Sequence, residues 1–526
     1  MQSRSRPKPA AGLAINAAAD GLPLYDYTLL KSVRAVCPRC FSEDPNFDPE
    51  FPTDICDGHL VDREGLVYLR RFCRRGHGEV WSLYEEDADL WRYLQQWRVP
   101  ARAINPDTSV IFPVPMGYEH GLGPAHLQHS CVYLLDLTTQ CNLACPACFT
   151  SSSPQQSMYL SLEHALHAVE AAIAREGGHL DVVMLSGGEP TIHPQIVPLI
   201  EALAALPITR VLLNTNGIRI ANEDGFLDVL RTYRDRVEVY LQYDGPSAAT
   251  STALRGLDLR ETKARAIERL SSAAVFTTLV MTVTLANEHE VGAVLDTCFA
   301  TPYVGGAMFQ PIFASGRSPE VDPMRRVTTT GVLRRIEAQS TFGARAHDLI
   351  ALPCSHPDCC AIGYFLRDKN GGFSSLASIV GETSLRRNLS VFGNSIAFLD
   401  GLAEIREALT NVMSESMTLS RPELVANLAK ICTACDLGGF GQLLALAFRP
   451  GASAAFVGER IKRVTIKHFM DADTLVTERL EQCCVHVAGA GNDPVRMPFC
   501  AARLFPKVRA RAQAAMVPRA ALPDGR

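Results

Sequence analysis

Between about residues 130 and 312 the chain alternates short β-rich runs with helical stretches, and this alternation restricts its fold more than any other feature. Six β–α units in series indicate a parallel sheet, because each helix carries the chain back to the start of the next strand. We therefore predict an α/β fold with an open or barrel-shaped parallel sheet and its chemistry at the C-terminal ends of the strands. The β-rich runs are CVYLLDL (131–137), LDVVMLS (180–186), RVLLNT (210–215), VEVYLQY (237–243), TTLVMTVT (277–284) and GAMFQP (306–311).

Cysteine usage gives the first indication of chemistry. The 526 residues include 17 cysteines, and the opening MQSRSRPKPAAG has basic residues without an apolar segment behind them, so we expect no secretory signal. The expected compartment is the cytosol, where thiols stay reduced. Clustered thiols in such a chain indicate metal binding rather than disulfides.

The most specific cluster follows the first predicted strand. Cys141, Cys145 and Cys148 have the spacing C-x3-C-x2-C within one short loop. Three thiolates can ligate three irons of a [4Fe-4S] cluster and leave the fourth iron open to a substrate or cofactor. The alternative is a structural zinc or cluster site that takes its fourth cysteine from elsewhere in the chain.

Polar and glycine-rich turns follow the next three predicted strands. These turns read Ser186-Gly187-Gly188-Glu189-Pro190, Asn214-Thr215-Asn216-Gly217 and Gln242-Tyr243-Asp244-Gly245. Two glycines allow a close approach to a ligand, an acid beside them can bind an ammonium group, and an asparagine turn can hydrogen-bond a ribose. Each turn alone is more often structural, but all fall at one end of the sheet together with the cysteine loop, which predicts a shared site.

The C-x3-C-x2-C loop followed by GGEP resembles the radical S-adenosylmethionine (SAM) superfamily. The resemblance implies that Cys141, Cys145 and Cys148 bind a [4Fe-4S] cluster whose open iron chelates SAM. It also implies a 5′-deoxyadenosyl radical that abstracts hydrogen from a substrate, and a partial (β/α)6 barrel as the fold. By the same resemblance Gly187, Gly188 and Glu189 meet the methionine end of SAM, and Asn214 and Asn216 lie near its ribose.

A second group of cysteines precedes the predicted sheet. Cys37 and Cys40 form a CPxC knuckle, and Cys73 is followed by His77 in CRRGHG. Two knuckles about 30 residues apart suit tetrahedral zinc or a rubredoxin-type iron. The fourth ligand stays open between His77 and Cys56, and two unrelated pairs of reduced thiols are the alternative.

The last third of the chain contains eight further cysteines, as many as two more [4Fe-4S] clusters require. Cys359-Cys360 and Cys483-Cys484 are adjacent pairs, and adjacent side chains often point apart. The number of auxiliary clusters therefore stays open between one and two. Cys131 and Cys298 are predicted to be buried structural thiols. The predicted auxiliary ligands are Cys354, Cys359, Cys432, Cys435, Cys483, Cys484 and Cys500.

The whole pattern resembles one branch of the superfamily, the archaeal tetraether lipid synthases and their bacterial relatives. The shared features are the Cys37–His77 ribbon, Gln310-Pro311…Gly316-Arg317, PCSHPDC at 353–359 and the CC-x-H…PFC segment at 483–500; the second ribbon knuckle departs from the branch as C-x3-H instead of C-x2-H. The resemblance implies radical C–C coupling of lipid alkyl chains. This chemistry requires a radical, because an sp3 C–H bond is neither acidic nor basic enough to react by proton transfer. Two alternatives remain: a radical SAM methyltransferase for a pterin-like or other small molecule, and a non-catalytic iron–sulfur and zinc-ribbon binding protein.

Composition limits the other partners. The net charge of −5 gives no case for nucleic-acid binding, and no apolar run is long enough to span a membrane. We expect a lipid or small-molecule substrate, a low-potential electron donor of the ferredoxin or flavodoxin type, and a cytoplasmic protein with peripheral membrane contact as an open possibility. The predicted divisions are a flexible N-terminus (1–24), a zinc-ribbon or rubredoxin-like domain (25–100), the radical SAM core (125–317), an auxiliary iron–sulfur domain (318–505) and a flexible basic tail (506–526).

Overall fold

The structure is a computed structural model, and it describes residues 27–44, 46–98, 104–367, 371–380 and 461–522. The predicted flexible N-terminus and the predicted ligands Cys432 and Cys435 lie outside these residues. Within them, no helix combines the length and the apolar composition that crossing a membrane requires.

The described elements comprise three sheets with helices packed around them. The strands are β1 (Thr28–Val36), β2 (Ile55–Arg63), β3 (Leu66–Cys73), β4 (Gly78–Glu85), β5 (Val132–Asp136), β6 (Met158–Leu160), β7 (Leu180–Ser186), β8 (Ile208–Thr215), β9 (Val237–Gln242), β10 (Thr277–Val283), β11 (Val304–Pro311), β12 (Ile350–Ala351), β13 (Cys360–Arg367), β14 (Phe373–Ser375), β15 (Ile461–Lys467), β16 (Val485–Gly489), β17 (Val495–Pro498) and β18 (Met516–Pro518). The α-helices are α1 (Pro38–Glu43), α2 (Ala88–Gln95), α3 (Leu162–Arg175), α4 (Ile196–Ala205), α5 (Ile218–Asn222), α6 (Asp224–Thr232), α7 (Ala248–Arg255), α8 (Arg260–Ser272), α9 (Val291–Ala300), α10 (Thr329–Gln339), α11 (Leu376–Val380), α12 (Thr477–Glu481), α13 (Phe499–Leu504) and α14 (Pro506–Gln513).

The large sheet contains the six predicted parallel strands side by side in the order β11-β10-β9-β8-β7-β5. Each predicted β-rich run forms a strand, and helices connect successive strands as the alternation requires. The parallel α/β architecture predicted from the sequence is therefore confirmed.

The sheet is rolled into an incomplete barrel. Register places Leu134 opposite Met184 and Met184 opposite Leu212, and all three side chains line one central cavity. Because alternate residues of a strand face the same side, an apolar layer forms inside the sheet. Buried members of this layer are Val182, Leu212, Tyr240 and Val280, with Val132, Met184 and Met308 packed against them.

The predicted auxiliary domain over residues 318–505 stays a prediction, because residues 381–460 lie outside the described part of the chain; strands on either side of that gap join the large sheet. β15 runs parallel to β11, β13 continues the sheet beyond it, and β16 pairs in parallel with β5. Strands from the distal sequence thus extend both edges of the same sheet and share its hydrophobic core.

The described part of the predicted basic tail contains a helix and a strand. Residues 506–513 form α14, which buries Val508 and Ala512. β18 then pairs antiparallel with β6, with Met516 opposite Leu160. Burial of these apolar side chains and pairing of the backbone hold the segment against the barrel.

The N-terminal strands β1–β4 form a separate antiparallel sheet in consecutive order. The buried Arg71 guanidinium joins this sheet to the distal segment, donating hydrogen bonds to the carbonyl oxygens of Ala472 and Asp473. Ala35 also bridges to Val476. The N-terminal sheet therefore packs on the C-terminal part of the chain.

Candidate functional site

The three cysteines of the C-x3-C-x2-C loop lie directly after β5 and line the central cavity together with Gly187, Gly188 and Glu189. The thiols are partly exposed. In the described residues they do not converge around one point, as the ligands of a single ion do. That separation suits a cluster, in which each thiolate binds a different iron.

Without a metal the loop favours protonated thiols. Burial, followed by the Glu189 carboxylate, raises the pKa of Cys141 to about 12. Burial also raises the pKa of Cys145, against the effect of Arg255. Binding of these thiols to a cationic centre must therefore release protons, as metal binding to thiols does.

The two glycines of the GGEP turn allow contact with the backbone that leads into the cysteine loop. A Cβ on Gly188 would lie 1.9 Å from the Gln140 carbonyl oxygen, and Gly187 has φ +108°. The Gly188 N–H donates to the Thr138 carbonyl at 2.7 Å. The glycines are thus required by contact between two turns of the protein, in addition to the ligand approach predicted from the sequence.

Glu189 joins the GGEP turn to the turn after β8. Its buried carboxylate accepts hydrogen bonds from the Thr215 hydroxyl at 2.6 Å and the Asn216 N–H at 2.8 Å. The Thr191 hydroxyl donates to it as well, at 2.6 Å. Glu189 therefore holds two turns at the cavity wall, and its predicted contact with an ammonium group stays a prediction.

The two predicted ribose contacts differ in what their side chains already bind. The Asn216 amide donates to the Asn142 side chain of the cysteine loop at 2.6 Å, and its oxygen accepts from the Ile218 N–H at 3.0 Å. Asn214 makes one long hydrogen bond, 3.4 Å to the Ser186 hydroxyl, and lines the cavity. The geometry leaves Asn214 the more available to a ligand.

Two arginines that were not predicted as site residues hold the cysteine loop. Arg255 on α7 forms a bidentate ion pair with Asp244, both contacts at 2.7 Å, and donates to the Ala147 carbonyl at 3.2 Å. Arg317 donates to the Cys145 carbonyl at 2.5 Å. Arg317 belongs to the GR pair noted in the sequence, but its target there could not be read from the sequence.

A second group of thiols lies at the same cavity. The Cys131, Cys354 and Cys484 sulfur atoms all lie within 4.8 Å of one another, and all three residues are buried. Cys354 follows β12 while Cys484 precedes β16, so these thiols come from opposite edges of the rolled sheet. Cys131 was predicted to be a buried structural thiol. It is buried, and because β16 places Cys484 beside the start of β5, its sulfur also joins this group.

The remaining distal cysteines are placed nearby but do not converge as closely. Cys359, Cys483 and Cys500 line a small cavity that also contains Arg479. The Arg479 Nε–H donates to the Cys359 sulfur at 3.2 Å. Cys360 lines the central cavity instead.

Cys298 agrees with its prediction as a structural thiol. It is fully buried, and its sulfur lies 3.7 Å from the Val304 carbonyl oxygen. It belongs to none of the thiol groups that the described residues form.

The N-terminal knuckles form a compact four-ligand group of Cys37, Cys40, Cys73 and His77. The His77 Nδ1 lies 3.5 Å, 3.5 Å and 3.3 Å from the three sulfurs in that order, and the Cys40 and Cys73 sulfurs are 3.8 Å apart. Tetrahedral zinc, with Zn–S ~2.3 Å and Zn–N ~2.0 Å, places its sulfurs ~3.8 Å apart and its sulfur and nitrogen ligands ~3.5 Å apart. The group has the size of a single tetrahedral ion.

His77 and Cys56, the two candidates for the fourth ligand, differ in their position relative to the three thiols. Cys56 is buried beside the knuckles, but its sulfur points toward the Asp54 carbonyl at 3.9 Å and does not join the group. His77 faces the thiols through Nδ1, and its Nε2 lies 2.9 Å from both Glu43 oxygens. A carboxylate in that position fixes the ring of a metal-binding histidine.

Comparison with known proteins agrees with this geometry. Residues 135–298 match the family model described as the radical SAM superfamily. A curated relative, 7,8-dihydro-6-hydroxymethylpterin dimethyltransferase of Methanocaldococcus jannaschii, is 24% identical over 492 residues, which is 89% of this chain and 92% of the relative. Mycofactocin maturase MftC of Mycobacterium ulcerans is 29% identical over 206 residues, 39% of this chain and 52% of that protein.

Among solved structures, Streptococcus suis SuiB bound to S-adenosylmethionine is 15% identical, with a TM-score of 0.33 over 40% of this chain and 47% of that chain. The radical SAM family implies a [4Fe-4S] cluster and SAM, and the donor set fits them: three separated thiols share one cavity with the glycine turn and Asn214. The chain carries a radical SAM domain over residues 135–298.

Proposed function

We propose that this protein is a radical SAM enzyme that abstracts hydrogen from unactivated C–H bonds of alkyl chains and joins two such chains through a new C–C bond. The observation that carries the proposal is an apolar wall that begins at the cysteine loop and continues into the barrel. The central cavity has a volume of about 260 Å³.

Phenylalanines form the outer part of this wall. Phe149 follows Cys148 directly, and its ring centroid lies 5.7 Å from that of Phe499. The rings of Phe469 and Phe499 are 4.2 Å apart, and Phe313 lies 5.4 Å from Phe469. All four line the cavity. Such a wall excludes water from a radical and packs against an alkyl chain.

The inner part of the wall is the apolar layer inside the barrel. Met184, Leu212, Val280 and Met308 line the cavity there. The Arg463 guanidinium also reaches the cavity, but the Glu238 carboxylate neutralises it at 2.7 Å. An alkyl chain requires no hydrogen bonds along this apolar layer, whereas a polar ring system such as a pterin would have to bind polar residues elsewhere in the cavity, such as Asn214 and Lys467.

The roles of the residues follow from their positions. Cys141, Cys145 and Cys148 hold the cluster, and the GGEP turn with Asn214 orients SAM. When bound, the cluster and SAM together supply a 5′-deoxyadenosyl radical. The phenylalanine wall holds the substrate carbon in place and excludes water. Each C–C bond formed removes two hydrogen atoms, each taken up by one 5′-deoxyadenosine, so two SAM molecules and two electrons from a low-potential donor are consumed.

The same proposal assigns an auxiliary iron centre to Cys131, Cys354 and Cys484, whose sulfur atoms converge as the ligands of a single ion do. Thiolate sulfur is a donor that binds iron. These thiols lie on the cavity that receives the substrate. An iron bound there would be placed to exchange an electron with the substrate site.

For the N-terminal group we infer a zinc ion bound by Cys37, Cys40, Cys73 and His77. The support is the tetrahedral size of the group and the Glu43 carboxylate behind His77. Zinc has no redox chemistry, so in this proposal the ribbon stabilises the fold and the electrons enter elsewhere.

Radical methylation is the second candidate. The relative that matches nearly the whole chain is named a pterin dimethyltransferase. In that case the same loop would bind SAM, and the product would contain a methyl group from SAM.

An isotope experiment separates the two. Reconstituted enzyme is incubated without oxygen with SAM, a reductant and a lipid whose alkyl chains are perdeuterated. Coupling predicts deuterium in 5′-deoxyadenosine and a product that has lost two deuterium atoms. Methyl-labelled SAM whose label appears in the product would overturn the coupling proposal and support methylation.

A matched pair of variants tests the cavity wall. Met308→Gln places an amide in the apolar layer, whereas Met324→Gln changes a methionine that is 48% exposed. We expect Met308→Gln to lower coupling at least tenfold while 5′-deoxyadenosine formation without substrate persists. Equal coupling in the two variants would contradict an alkyl chain at this wall.

A further inference from the structure

Lys467 is a buried lysine at the junction of the two distal cysteine groups. It is the last residue of β15, is 9% exposed, and pairs in register with Cys360 on β13. It lines the central cavity beside Cys354 and Cys484, and also the small cavity of Cys359, Cys483 and Cys500. A single ammonium group therefore faces sulfur atoms on two sides.

Among the residues that the structure describes, the Lys467 ammonium has neither a carboxylate partner nor a hydrogen bond, and the centroid of the Phe469 ring lies 6.0 Å from Nζ. Removing an ammonium from water is strongly unfavourable unless an anion compensates for it. The cysteines become anionic when they bind a metal. The Lys467 ammonium is placed to compensate for that charge.

Two other buried lysines show the usual solution. The Lys462 Nζ donates to the carbonyl oxygens of Thr301 and Val304, at 2.8 Å and 2.7 Å. The Lys263 Nζ donates to the Asn216 carbonyl at 2.6 Å. Lys467 has no such oxygen partner in the described part of the chain.

Arg479 already pairs with Cys359 from the other side of the small cavity. Lys467 lines the central cavity together with Cys131, Cys354 and Cys484, and the His129 ring lies 3.3 Å from the Cys131 sulfur.

We infer that Lys467 is a positioning residue whose ammonium balances the negative charge of the auxiliary centre held by Cys131, Cys354 and Cys484 and raises its reduction potential. The inference rests on the proposed function, in which these thiols bind iron. Adding an electron makes a thiolate-bound centre more negative, and a fixed positive charge nearby stabilises the reduced form. The low dielectric of the buried site strengthens this effect.

The test is a redox titration of the holoenzyme followed by electron paramagnetic resonance, with iron counted in each sample. Lys467→Met removes the charge, Lys467→Arg keeps it, and Lys462→Met removes a buried lysine from the same strand as a control. If Lys467→Met does not accumulate as folded protein, Lys467→Gln provides the same loss of charge.

We expect the neutral variants to shift the reduction equilibrium of one centre at least tenfold toward the oxidised form, which is 59 mV for one electron. Lys467→Arg and Lys462→Met should leave it near that of the wild type. A full iron content with an unchanged potential in Lys467→Met or Lys467→Gln would overturn the inference alone. Wild-type protein with iron only at the C-x3-C-x2-C loop would overturn the auxiliary centre itself.

Discussion

Cys148 and Arg317 exchange two backbone hydrogen bonds, 2.6 Å from the Cys148 N–H and 2.9 Å from the Arg317 N–H. The Arg317 side chain then donates to the carbonyl oxygens of Cys145, at 2.5 Å, and Ser152, at 2.7 Å. Gly316 makes the approach possible, because a Cβ there would lie 2.5 Å from the Phe149 carbonyl. The cysteine loop is thus held in shape by a segment that follows the last strand of the six.

Replacing Arg317 should loosen the cysteine loop. Hydrogen bonds from a charged donor contribute about 1.5–3 kcal/mol each, and Arg317→Ala removes those to Cys145 and Ser152. We expect at least a tenfold loss of 5′-deoxyadenosine formation and less iron at the loop, measured by product analysis and iron content. Arg334→Ala, at a side chain that is 50% exposed, is the control. Equal activity in both variants would contradict the role of Arg317.

Cys131 and Cys298 are both buried, yet their sulfur atoms have different surroundings. Cys131→Ser should remove iron from the auxiliary centre and leave the C-x3-C-x2-C cluster, because it deletes one of three converging thiols. Cys298→Ser should retain all iron, since its sulfur faces a carbonyl group. Iron counting and electron paramagnetic resonance of both proteins test this. Unchanged iron in Cys131→Ser would refute the assignment.

His77 and Cys56 were equivalent candidates for the ribbon ligand in the sequence, but not in the structure. His77→Ala should lower zinc retention under dialysis against a chelator by at least tenfold, because it removes one of four ligands. Cys56→Ala should bind zinc like the wild type. Iron rather than zinc in freshly isolated protein, or zinc loss from Cys56→Ala alone, would contradict the assignment.

Lys263 makes the stability depend on pH. Burial, followed by the charge of Arg255, lowers its pKa to about 7, whereas an unfolded lysine has a pKa of ~10.4. Between these values the unfolded chain keeps a proton that the folded chain has released, so the free energy of unfolding contains a contribution that rises with pH. Below pH ~7 both states are protonated and that contribution is constant.

Lys263→Met should remove this slope, which reaches about 1.4 kcal/mol per pH unit. Denaturant unfolding at several pH values between about 6 and 9 measures it. Lys507→Met, at an exposed lysine on α14, should keep the wild-type slope. The same pH dependence in Lys263→Met and wild type would exclude Lys263 as its source.

The fold was predictable where the signal is local. β7 occupies the predicted run 180–186 residue for residue, since alternation and β-branched composition act within a few residues. The sequence IKRVTIK of β15 was not recognised as a barrel strand, because its place beside β11 depends on a pairing partner about 155 residues away. For that reason the sequence did not indicate that β15 belongs to the barrel sheet.

The residue types of the site were predictable from the sequence, but the contacts between its residues were predictable only in part. The C-x3-C-x2-C loop and the GGEP turn share one cavity as expected. Other contacts join residues that are far apart in the sequence. Glu189 binds Thr215 and Asn216. Cys131 lies beside Cys354 and Cys484. No spacing rule in a single sequence indicates such contacts.

The central claim is that Cys141, Cys145 and Cys148 hold the cluster that cleaves SAM. Its most direct test is anaerobic turnover of SAM with a strong reductant, comparing the wild type with Cys141→Ala and following 5′-deoxyadenosine by mass. We expect the wild type to form it and folded Cys141→Ala, checked by circular dichroism, to form none. Wild-type rates of 5′-deoxyadenosine formation in Cys141→Ala would contradict the account.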